Sequence, residues 1–98
     1  MAYTTHRMHT LADGHVIALM DNGHGGYQVQ LGLTDRTILN CRTGESVPIT
    51  THGCVWCDRY LDKAEEAYDL LTRCNTIRQA DVQGYRWWRE HMEHIING

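Results

Sequence analysis

The sequence predicts an α+β domain: a three- to four-stranded antiparallel β-meander within residues 14–50, followed by an antiparallel helical hairpin over 51–98. Three observations predict it. Tyr27, Val29, Leu31 and Leu33 alternate with Gln28, Gln30 and Gly32, the period of a strand with one buried face. Turn residues recur at Asp13-Gly14, through 21–26, at Thr34-Asp35 and through 42–45. After Cys57 the apolar period changes from two to three-and-four. With 98 residues, 42% of them apolar, and a net charge of −3, residues 1–98 are expected to form one domain around one modest core.

Residues 1–13 show no period and are expected to fray. Residues 15–20 read as a short strand, and Asp21-Asn22-Gly23-His24-Gly25-Gly26 as a hairpin loop rich in residues that tolerate positive φ. The strand over 27–33 follows, then a tight turn into 36–41. A further turn at 42–45 leads to an edge strand over 47–50, the only kind of strand that tolerates Pro48. The first helix is expected over 57–74, with Tyr60, Leu61, Ala64, Ala67, Tyr68, Leu71 and Cys74 on its buried face. Asn75 or Thr76 caps the second, over 77–96. Its bulkiest stripe is Ile77, Asp81, Tyr85, Trp88, Met92 and Ile95, so Trp88 is expected in the core. Ala80, Gly84, Trp87, His91 and His94 form the neighbouring stripe, which puts Trp87 on a flank.

Two cysteines, Cys54 and Cys57, fall at the expected mouth of the first helix, where its dipole would favour thiolate. The run Pro48-Ile-Thr-Thr-His-Gly-Cys-Val-Trp-Cys-Asp-Arg resembles the active-site turn of glutaredoxins, which implies a thiol redox protein. That fold also uses a proline-bearing loop downstream of its dithiol, whereas Pro48 is the only proline and lies upstream. A metal reading competes with it. Cys57 and Cys74 lie about 25 Å apart along one unbroken helix, so they cannot share an ion. A second helix running back would instead bring His91 and His94 to Cys54 and Cys57, a Cys2His2 set suited to structural zinc. Cys41 and His52 are substitutes if that helix bends. Buried thiols and solvated histidines are the plain alternative.

Tyr85, Arg86, Trp87 and Arg89 are residue types that dominate protein–protein hot spots, and they form the candidate partner-binding set. Neither a nucleophile elbow nor a P-loop is present, so a non-enzymatic module that binds a larger protein complex is the first expectation. The alternatives are a zinc-stabilised regulatory or nucleic-acid-binding module and the redox protein. No basic block marks a nucleic-acid track, so direct nucleic-acid binding is not expected. The longest apolar run, 16–20, is too short to span a bilayer, and the first eleven residues lack the apolar core of a signal peptide. A cytoplasmic location follows as the expectation, with the four cysteines reduced. In size, mild acidity and meander-plus-helices layout the chain is similar to small phage-encoded anti-CRISPR inhibitors. That similarity implies steric blocking of a bacterial defence complex, or mimicry of its nucleic acid by the acidic residues Asp58, Asp62, Glu65, Glu66 and Asp69.

Overall fold

The hairpin of β2 (Val16–Asp21) and β3 (Tyr27–Leu31) is the part of the sheet that the alternation dictates, with Ile17 opposite Leu31 and Leu19 opposite Val29. These four side chains are buried on one face. Asn22 shapes the connecting loop, its Oδ1 accepting from the N–H groups of His24 at 2.8 Å and Gly26 at 3.0 Å. The computed structural model describes residues 3–97, and the expected start at residues 1–2 lies outside them. Within the described part the N-terminal segment is ordered. β1 (Thr4–Thr10) pairs antiparallel with β2, with a bulge between Thr5 and Arg7. All seven of its residues are exposed, so the strand carries no burial period and is held by its backbone ladder. Arg7 adds a clasp to the helical layer, its guanidinium 4.6 Å from the Tyr68 ring and 3.2 Å from the Asp69 carboxylate.

The alternating run does not continue past Leu31. Gly32 adopts φ 74°. Its carbonyl accepts from the Thr51 N–H at 3.0 Å, and a Cβ there would strike the Thr51 side chain. Only glycine fits this reversal. The chain therefore leaves the sheet and forms a separate two-stranded ribbon, β4 (Leu33–Leu39) with β5 (Ser46–Thr50). Val47, Pro48 and Thr50 of the ribbon stand with the buried Gln28 and Gln30 around a cavity of about 230 Å³ on the sheet's second face.

The chain returns as β6 (Cys54–Trp56), so the main sheet has the order β1-β2-β3-β6, antiparallel throughout. Here the structure corrects the expected start of the first helix. Cys57 stays in the ladder, its N–H bonded to the Tyr27 carbonyl at 3.0 Å. Asp58 then takes φ 50°, turning the chain. α1 (Leu61–Leu71) begins only after that turn, buries Ala64, Ala67, Tyr68 and Leu71, and has no side-chain N-cap.

α2 (Ile77–His91) is capped as expected, with the Thr76 hydroxyl accepting from the Gln79 N–H. Its first free N–H, that of Ile77, is taken by Asp13 Oδ2 at 2.7 Å, which ties the β1–β2 turn to the helix. α2 contacts α1 with Gly84 against Leu71 and Trp87 against Glu66, the pattern of helices running back along one another. A short α3 (Glu93–Asn97) follows a break at Met92. Among the described residues, no helix is long and apolar enough to cross a membrane.

Candidate functional site

The sheet ends at β6, and that edge is chemically open. Hydrogen bonds from Leu31 N–H to the Gly53 carbonyl and from Cys57 N–H to the Tyr27 carbonyl fix which residues face β3. By the alternation of an antiparallel ladder, the main-chain groups of Cys54 and Trp56 then point away from it. The Trp56 carbonyl accepts from the Trp88 indole N–H at 2.8 Å. The remaining three groups, the N–H and C=O of Cys54 and the N–H of Trp56, bond no described residue.

Beside this edge runs α2, seated low. A Cβ on Gly84 would lie 2.9 Å from Val55 Cγ2, so the missing side chain is what allows the approach. Between them lies a groove of about 310 Å³. The buried Leu31, Val55 and Gly84 form its bottom, and Cys54, Asp81 and Tyr85 are its exposed rim. Asp81 makes no ion pair or hydrogen bond with any described side chain. Tyr85, 64% exposed, is shared with a shallow depression of about 500 Å³ on the outer side of α2. Val82, Arg86 and Arg89 line that depression, with Glu90 and Glu93 on its acidic side. The Arg89 guanidinium sits 5.8 Å from the Tyr85 ring centroid.

The chain matches no protein-family model, no curated protein and no solved structure.

Three of the four expected partner-binding residues, Tyr85, Arg86 and Arg89, are exposed together on α2. Trp87 is not with them. It is 4% exposed, stacked on His91 at 4.9 Å, with its indole N–H donating to Glu66 at 3.3 Å. Trp88 is the half-buried one, so the two tryptophans have exchanged the faces expected of them. The reason is Gly84. A helix that settles onto a sheet does so on its small residues, and Trp87 lies on the same stripe as Ala80 and Gly84.

The expected zinc ligands are likewise separated in role. Cys54 is exposed at the start of β6 and Cys57 is buried in the core. His91 is committed to Trp87 and lies 3.6 Å from Glu66, while His94 is exposed on α3. Among the described residues, no three His, Cys, Asp or Glu side chains gather as a metal site requires. The thiols also differ from the expected thiolates. Cys54 opens β6 and Cys57 follows it directly, ahead of the turn that precedes α1, and burial together with the neighbouring Cys54 pushes the Cys57 thiol up to about 12. Partial desolvation of its sulfur raises the otherwise exposed Cys54 as well. Both shifts oppose the thiolate that redox exchange uses.

Sequence reasoning did not single out Asp81 or the β6 edge. The signal for the edge was a β-type triplet, Cys-Val-Trp, placed directly after a Gly. It was masked by the stronger helical period that begins beyond it.

Proposed function

We propose that this chain is a small non-enzymatic protein-binding module that acts by occupying a surface on a larger complex. The observation that carries the reading is Tyr85. A large aromatic stands exposed on α2, with Arg86 and Arg89 beside it and a concavity on either side. Exposed aromatic and arginine residues flanked by concavities are the anchors of protein interfaces. The likeness in size and mild acidity to anti-CRISPR inhibitors, read from the sequence, makes a bacterial defence complex the proposed target. Steric blocking is the favoured mode. Nucleic-acid mimicry is less supported, because Lys63 pairs with Glu66 and Arg7 with Asp69, which dilutes the acidic face of α1.

Tagged protein and a Tyr85→Ala/Arg89→Ala variant, incubated with lysate of a bacterium carrying an active CRISPR–Cas system, test the reading. A complex retained by the first and lost by the equally folded variant is the expected result. Equal recovery with both removes α2 as the binding surface. Expression in the same cells should reduce plasmid interference; unchanged interference would remove the defence target and leave the binding surface.

A further inference from the structure

We infer that the groove between β6 and α2 receives an extended peptide segment of the partner, which adds to the sheet as a fifth strand and places a basic side chain against Asp81. The inference rests on the protein-binding reading and specifies how one part of that contact is made.

The main-chain chemistry selects an extended chain. Cys54 presents an outward donor and acceptor together, the pair that a single residue of an incoming antiparallel strand satisfies, and Trp56 adds one more donor. Pairing stops there, because the Trp56 carbonyl is already engaged by the Trp88 indole. The contact therefore spans few residues. The groove's volume, about 310 Å³, is at the small end of the range for ligand pockets and suits a peptide segment rather than a folded domain.

The second sheet edge, β1, offers a contrast. Its seven residues are exposed and its ladder is broken by a bulge between Thr5 and Arg7, a device that discourages edge pairing. The β6 edge keeps an unbroken register with β3, and it has a helical wall. That combination of edge and wall is what a strand-addition site needs: backbone bonds supply affinity and the wall reads alternate side chains.

Charge selects the sequence. Asp81 is the charged residue among those lining the groove, it is exposed, and it has no partner among the described residues. A lysine or arginine on the incoming strand would complement it, whereas a polyanion would be repelled. Tyr85 and Trp88 stand along the same wall, where a neighbouring apolar or aromatic side chain would pack.

The test is selection of a displayed random 12-residue peptide library on the purified protein, followed by amide exchange of the 15N-labelled protein with a recovered peptide. Recovered sequences should share a basic residue. The Cys54 and Trp56 amides should become protected from exchange, and Asp81→Lys should weaken binding by about tenfold. Asp81→Asn, with an intermediate loss, separates charge from any disturbance of the helix. Three results would overturn the inference. Peptides that shift only Arg86 and Arg89 resonances would place binding on the outer face of α2. Protection of Cys54 and Trp56 that appears with protein concentration alone would make a second copy the occupant. A library that yields no binder would exclude strand addition. The protein-binding reading itself would still stand or fall on the Tyr85→Ala/Arg89→Ala comparison.

Discussion

Helix α1 buries Ala64, Ala67, Tyr68 and Leu71, whereas α2 buries Ile77, Ala80, Gly84 and Trp87. The first face is the one that apolar periodicity picks out. The second is not, because the bulkier stripe of α2 runs through Tyr85 and Trp88, which line the groove instead. Hydrophobic size identifies the buried face when a helix stands off at side-chain distance. When a glycine lets the helix drop, close approach wins, and the bulky residues are displaced to the flank. For this protein the displacement has a functional consequence, since it is what exposes Tyr85 beside the β6 edge.

The sharpest way to break this comparison is to truncate the two adjacent indoles. Trp87→Ala should lower unfolding stability by about 3–5 kcal/mol, as a buried large-to-small change does. Trp88→Ala should cost less, because its half-buried ring loses only part of its packing against the core together with one hydrogen bond to Trp56. Urea titrations of both variants would check the order, and a reversed order would put Trp88 in the core. Gly84→Val comes next. Its side chain would meet Val55 and Leu71 and should cost about 1–3 kcal/mol by overpacking, against the small gain that any residue other than glycine brings to a helix. A neutral or stabilising Gly84→Val would mean that α2 stands off the sheet after all.

The helix starts differ as well. α2 has the Thr76 cap and α1 has no side-chain cap, so Thr76→Ala should cost about 1 kcal/mol by thermal or chemical unfolding. The smallest expected effect concerns Asp13. The N–H groups of His15 and Ile77 donate to its carboxylate and hold it below the ordinary carboxylate range. A depressed folded value means that the stabilisation is present above the unfolded value and is lost as pH falls through the folded one. Asp13→Asn should therefore flatten the acid limb of the stability profile below about pH 4. An unaltered acid limb would detach Asp13 from the start of α2.

What was legible in the sequence follows the same physics. The β2–β3 pairing, the Thr76 cap, the interior of α1 and the edge placement of Pro48 in β5 each rest on a local signal: alternation, a hydroxyl before a helix, a helical stripe, a missing N–H. β1 was illegible because a strand exposed along its whole length has no period to read. The end of β3 was hidden because Gly32 fits the alternation as a polar-side residue while its φ ends the strand. The Cys54–Cys57 pair looked like a helix-mouth dithiol because the helical period beyond it is strong. Only the ladder bond from Cys57 to Tyr27 reveals it as the end of a strand. The candidate site was half legible: Tyr85, Arg86 and Arg89 by residue type, Asp81 and the β6 edge only by topology.

The orientation of α2 is tested most directly by nuclear Overhauser contacts in the folded protein. A strong contact between the Gly84 Hα protons and the Val55 methyl groups, with Trp87 ring protons close to His91, is the predicted result. Contacts from Tyr85 or Asp81 to the buried Val55 methyls, with Gly84 protons free of the sheet, would contradict it.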